Sequence, residues 1–249
     1  MRNLFELYDK LIELASSDEK IDFAGSFPDW AVVGVGGSLG LSMSTEGKSR
    51  EPLTSLLNNP LGMKICDASH AIKSWNFEEA SLALAAVNAV LNTKERLSAL
   101  GCYEPYKNYS TRGLDLKGKT VGLIGHLKFP AEKQDEVKKI YTFERNPQEG
   151  DYPDPAEEYI LPSCDIVLIS GSALINKTLP RLLELTKNAH TILIGPSVPM
   201  APELLDFGID ALAGIVITDA EGLKEASCER IGKPYGFGLP FLIRKEDFR

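Results

Sequence analysis

The sequence predicts an α/β protein in two parts: a small α+β unit over residues 1–115, then a larger unit over 116–249 built on a mostly parallel sheet. Three observations carry this. In the second part three apolar runs each stop at a glycine: Thr120–Ile124 at Gly125, Asp165–Ser170 at Gly171, and Thr191–Ile194 at Gly195. Runs that are continuously apolar, without in/out alternation, belong to strands covered on both faces. Helical stretches lie between them, so the connections are right-handed crossovers into a parallel sheet. The first part lacks this rhythm. It shows an apolar strand, Ala31–Val35, a turn at Gly36-Gly37-Ser38 and an alternating strand, Leu39–Ser44, which together make a β-hairpin.

Taken in order, residues 1–16 read as a helix capped by Asn3, with Glu6 at the capping-box position. Leu4, Leu7, Tyr8, Leu11, Leu14 and Ala15 form one stripe. Glu6, Asp9, Lys10 and Glu13 exclude a secretory signal there. Asn76 caps a second helix, Glu79 completes a capping-box-like pair, and Phe77, Ala80, Leu84, Val87 and Leu91 keep helical spacing. The polar turn Asp115–Lys119 marks the boundary and leads into the strands Val121–Ile124, Ile140–Phe143, Ile166–Ile169, Ile192–Ile194 and Ala213–Ile217. Helices are expected near Ala131–Lys139, Leu179–Lys187, Pro202–Phe207 and Glu221–Ile231, with Gly208 and Gly232 ending two of them in a left-handed conformation. Asn146–Pro162, crowded with prolines and acids, is expected to be an irregular loop beside the ligand edge of the sheet.

Composition narrows the functional classes. A formal net charge of -8 argues against sequence-independent nucleic-acid binding, which needs Lys and Arg against phosphate. The apolar runs fall far short of the ~20 residues of a transmembrane helix. Cys66, Cys102, Cys164 and Cys228 are widely spaced, as in a cytoplasmic protein with reduced thiols. Several motifs fail on inspection. Gly34–Gly40 imitates a dinucleotide fingerprint, but the segment after it is a returning strand and not a helix. Gly47-Lys48-Ser49 ends like a phosphate loop, yet Ser42 stands where the first glycine belongs. Cys66, Asp67 and His70 lack a further partner, so no metal ligands are assigned.

Parallel sheets bind ligands at their carboxyl edge, where loop N–H groups and helix N-termini face outward. His126, next to Gly125, is the candidate acid/base; the alternative is that it caps a helix or bonds a neighbouring loop. Glu144 comes after Gly125 by roughly the twenty residues at which nucleotide-binding folds place a ribose carboxylate, or else pairs with Arg145 or a lysine. Gly171, Ser172 and Asn176 offer polar groups after the third strand, and Thr178 reads as an N-cap. Gly195, Pro196 and Ser197 form a rigid loop after the fourth strand. Asp219 is either a ligand carboxylate or a helix cap, and Asn88 either offers its amide to a cleft or is a satisfied packing group. Gly37 and Ser38 complete the candidate binding set at the hairpin tip.

The stretches Ile166–Leu179, Ile194–Pro199, Leu205–Asp210 and Gly214–Asp219, with the helix from Glu79 and the hairpin around Gly37, resemble the putative heavy-metal chelation family, long a domain of unknown function. The resemblance spans nearly the whole chain. It implies an enolase-amino-terminal-like α+β domain, a Rossmann-like domain and a pocket between them. It also implies a role in metal chelation or in handling pterin-, flavin- or siderophore-like chelators. The expected function is thus that of an interdomain-cleft enzyme acting on a small polar chelator-like molecule. The alternatives are a non-catalytic binder of a metal chelate or nucleotide-like ligand, and a divergent adenosyl-methionine-dependent methyltransferase. No cofactor is identifiable from the residues, and homo-oligomerisation is compatible with them.

Overall fold

A computed structural model describes residues 4–44, 50–101, 114–229 and 233–248. Asn3, the 47–49 tripeptide, Cys102 and Gly232 lie outside the described residues. The N-terminal half comprises α1 (Glu6–Ala15), β1 (Ile21–Phe27), β2 (Trp30–Val35), β3 (Ser38–Met43), α2 (Ile65–Ala68), α3 (Phe77–Leu91) and α4 (Lys94–Ala99). The C-terminal half comprises β4 (Thr120–Ile124), β5 (Lys139–Glu144), β6 (Tyr152–Pro153), α5 (Glu157–Ile160), β7 (Ile166–Ser170), α6 (Leu179–Leu185), β8 (His190–Ile194), β9 (Ala211–Ile217), α7 (Ala220–Glu229) and β10 (Gly238–Arg244). No helix among these residues is long and apolar enough to cross a membrane.

The strands form two sheets, ordered β1-β2-β3 and β10-β9-β8-β7-β4-β5-β6. The small sheet is antiparallel. The large one is parallel from β9 to β6, with β10 antiparallel at its edge. From β4 the order runs one way to β5 and β6 and the other way to β7, β8 and β9, so the switch point lies between β4 and β7. Continuous apolar runs occur for the expected reason: Val167 and Ile169 face one core while Ile166 and Leu168 face another.

The small sheet is likewise covered on both sides. Val33 and Val35 join the core with α3, whereas Val32, Leu39 and Leu41 meet Leu223 of α7 from the C-terminal half. Gly40 is where β3 touches α3: a Cβ there would lie 2.1 Å from the Ala85 carbonyl oxygen and 2.2 Å from the Ala89 nitrogen. The main core runs without a break from α1 to the C-terminal half. Buried Asn92 ties the halves together. Its Nδ2 donates to the carbonyls of Val198 (2.8 Å) and Ile215 (3.3 Å), and its Oδ1 accepts from Met200 N (2.8 Å). Tyr8 adds a hydroxyl donation to the Leu174 carbonyl, and Met43 N donates to Ser197 Oγ.

Several elements differ from expectation. β1 has no clear sequence signal because a register shift between Ile21 and Phe23 breaks its alternation. β10 packs as a single antiparallel edge strand, the position that tolerates Pro240. Ala131–Glu136 is a 3-10 turn with no buried residue, since Ala-Glu-Lys-Gln-Asp-Glu has no apolar stripe to bury. Conversely, the 146–162 stretch is not wholly irregular: β6 and α5 lie within it. Leu4 is 60% exposed and precedes α1, so the buried stripe is Leu7, Tyr8, Leu11, Ile12 and Ala15. Asn76 caps α3 as expected, accepting from Glu79 N. The Glu79 carboxylate, however, accepts from Leu53 N and Thr54 N, anchoring the loop before α2.

Two substitutions test this packing. Gly40→Ala is expected to cost about 3 kcal/mol or more, because backbone must move and not a flexible side-chain tip. Asn92→Ala is expected to cost about 3 kcal/mol by leaving the Met200 N–H unpaired in the core. Urea unfolding at equilibrium measures both, and losses below about 1 kcal/mol would contradict the assignments.

Candidate functional site

Gly125 (φ 97) and Gly195 (φ 117) end β4 and β8 in the left-handed region and turn the chain across the carboxyl edge of the sheet. Beyond them lies a cleft of about 480 Å³. Its walls include His126 to Pro130 after β4, Ile194 to Pro196 after β8, and Ile215 of β9. Trp30 and Tyr235 complete the lining. Their rings meet edge to face at 5.9 Å. No atom stands within 4 Å of where a Cβ on Gly195 would be, so a side chain there would occupy free space beside the cleft wall. The cleft is thus mainly apolar and aromatic, with His126, Lys128 and Glu132 supplying polarity.

Parallel pairing of β4 with β5 brings Glu144 to His126. Glu144 Oε1 accepts from His126 N at 2.7 Å and lies 3.3 Å from its Nδ1. Glu144 Oε2 accepts from Arg145 N at 3.2 Å. On the other edge of the ring, Nε2 sits 2.7 Å from Asp151 Oδ2, which also accepts from Gln148 N at 2.8 Å. A ring held this way can donate from both nitrogens only as an imidazolium. The two carboxylates stand on opposite edges of the ring, so one ion cannot contact all three groups. Among the described residues no three or more His, Cys, Asp or Glu side chains are arranged to hold a metal ion.

The structure therefore brings His126, Glu144, Gly125, Gly195 and Pro196 to one edge. The remaining candidates are placed elsewhere or occupied, and none of them lines this cleft. Gly171 is buried against the Ser197–Val198 backbone, and Ser172 shares a 2.9 Å hydroxyl contact with Ser170. Asn176 Oδ1 accepts from Thr178 N and Oγ1, while Thr178 itself makes no side-chain cap to α6. Ser197 Oγ accepts from Met43 N, and Asp219 Oδ1 caps α7 through Gly222 N. Gly37 N donates to Asp22 Oδ2 at 3.3 Å, and Ser38 opens β3 opposite Val35. Asn88 donates to the Leu41 carbonyl while its buried Oδ1 has no hydrogen-bond partner among the described residues. Cys66, Cys164 and Cys228 are free thiols, and burial pushes Cys164 up to about 11. Asp151, Trp30, Phe129 and Tyr235 complete the site. Only Asp151 had a signal in the sequence, its place in the acidic loop at the ligand edge.

Two family models, both described as "Putative heavy-metal chelation", match residues 8–91 and 113–234. A solved structure of a protein of unknown function from the DUF364 family of Desulfitobacterium hafniense is 34% identical, covers 97% of this chain and 98% of that one, and superposes with a TM-score of 0.85. A DUF364 protein of unknown function from Pyrococcus horikoshii is 25% identical over 97% of this chain and 99% of that one, with a TM-score of 0.76. An uncharacterized protein of Methanocaldococcus jannaschii is 33% identical over 164 residues, which is 59% of this chain and 58% of that protein's length.

The Gln148 N–H first, and then His126, hold the Asp151 carboxyl below its ordinary range. A depressed folded-state value contributes stability above the unfolded carboxylate value of about 4 and loses it as pH falls through the folded value. The melting temperature is therefore expected to fall on acidification below about pH 4, and Asp151→Asn to flatten that limb. Superimposable melting profiles for the two proteins between pH 5 and pH 2 would contradict the contact.

Proposed function

The chain belongs to the putative heavy-metal chelation family, and from that premise we propose that it captures a small, planar, chelator-like molecule with its metal already bound. In this reading residues 1–115 and 116–249 act as two units that enclose the ligand. The observation that carries it is the composition of the cleft. Aromatic rings from both halves, Trp30 and Tyr235, flank a space of about 480 Å³ suited to a flat heterocycle, while Lys128 offers a positive group to anionic donor atoms. The metal's ligands would come from the small molecule, which agrees with the lack of a His, Cys, Asp or Glu cluster among the described residues.

A chemical step on the captured molecule is the second reading, favoured by one observation: His126 is oriented from both ring edges by carboxylates, as a positioned acid would be. The methyltransferase reading gains no such support, because both Glu144 oxygens already accept backbone N–H groups.

Native mass spectrometry separates these readings. Zinc alone, ferric ion alone and preformed ferric–catecholate or zinc–pterin complexes are offered to the full chain. A chelate is expected to be retained one to one while free metal is lost, and Trp30→Ala is expected to weaken retention roughly tenfold, about 1.4 kcal/mol. Retention of free metal as tight as that of every chelate would overturn the proposal. If a converted product accumulates, and His126→Gln abolishes its formation without releasing the chelate, the second reading holds.

A further inference from the structure

Lys128 and Glu132 both line the cleft, are exposed, and enter no ion pair or hydrogen bond with a described residue. Elsewhere on this surface opposite charges close in sequence find each other. Lys133 and Glu136 meet at 2.6 Å in the turn that follows, Lys10 and Glu13 at 2.7 Å, and Lys224 and Glu221 at 3.1 Å. Lys128 and Glu132 stand four apart, a spacing that pairs charges on a helix. Pro130, between them, prevents it. Its backbone is extended (φ -59, ψ 125), so the chain has no helical register there and the 3-10 turn begins only at Ala131. The wall therefore presents a separate cation and a separate anion to one space. Trp30 and Tyr235 border that space with ring planes 67° apart. The Tyr235 ring already carries Lys233 Nζ at 5.9 Å from its centre, whereas Trp30 carries no cation among the described residues. Tryptophan has the most electron-rich face of the three aromatic side chains, so Trp30 is the ring on offer to a cationic ligand.

We propose that the occupant of this cleft is a zwitterion: a flat ring with a cationic nitrogen, stacked on Trp30 and balanced by Glu132, that also bears a carboxylate for Lys128. This rests on the reading that the cleft captures a small flat molecule, and adds that the molecule has a positive charge of its own, separate from any metal. Each ligand charge meets an opposite charge that the protein has not already neutralised, so no ion pair has to break on binding. The same pair of wall charges sets the specificity. A purely anionic ring gains from Lys128 but faces Glu132 uncompensated, and a purely cationic ring gains from Glu132 but faces Lys128.

The test is titration calorimetry on the full chain near neutral pH with three metal-free probes of one skeleton: N-methylnicotinate, a zwitterion; nicotinate, an anion; and N-methylnicotinamide, a cation. The zwitterion is expected to bind roughly tenfold more tightly than either of the others. Glu132→Gln and Trp30→Leu should each remove its advantage over nicotinate, and Lys128→Gln its advantage over N-methylnicotinamide. Both charged side chains are exposed, so their variants keep the fold. The proposal fails if nicotinate or N-methylnicotinamide binds as tightly as the zwitterion, if the advantage survives Glu132→Gln, or if none of the three binds. A chain that retains a metal chelate and binds no probe would overturn this inference and leave the capture of chelates standing. A chain that binds the zwitterion and retains no chelate would do the reverse.

Discussion

One buried amide governs how the two halves of this protein meet. Asn92 stands just past α3 and pairs its donor and acceptor with backbone at Val198, Met200 and Ile215. In the interior those peptide groups have no water to turn to, so the amide defines a single seating of α3 against the β8 and β9 loops. β3 rests on α3 through Gly40, and α7 closes over the other face of the small sheet. The hairpin is therefore clamped between halves. Trp30, at the start of β2, joins Gly195 and Pro196 in one cleft lining as a result.

The cleft inherits its chemistry from that seating. Its polar end is built by one sheet: parallel pairing aligns the ends of β4 and β5, placing Glu144 beside His126, while the following loop returns Asp151 to the second ring nitrogen. Its aromatic end is built by two remote segments, β2 and the turn before β10. Carboxylates on opposite edges of one imidazole orient the ring and cannot share an ion with it. In the proposed function the captured ligand therefore brings its own donor atoms for the metal. Polar groups elsewhere at the sheet edge, at Ser197, Asp219 and Asn176, serve the fold as ties and caps.

The large sheet was legible in the sequence because burial on both faces leaves an unbroken apolar run, and each run ended where the chain had to turn. The hairpin and the Asn76 cap were legible for equally local reasons. β1 was not, since its register shift erases alternation, and β10 was not, since an edge strand bears a weaker apolar signal. The expected helix at 131–139 failed because helical propensity without an apolar face does not offset the cost of ordering the chain.

By itself the sequence determined the buried parallel strands β4, β5, β7, β8 and β9 and the β2–β3 hairpin, where the carboxyl edge lies, and that His126, Glu144 and Gly195 belong to it. Those properties arise from short-range pattern and from the ordering of parallel strands. Only the tertiary structure decided that Ser172, Asn176 and Asp219 are internally occupied, that Asp151 completes the histidine clamp, and that Trp30 meets Tyr235 at the wall of a cavity. Partners separated by tens to hundreds of residues leave no periodicity in the chain. What joins them is the single way two hydrophobic faces and one buried amide can be satisfied together.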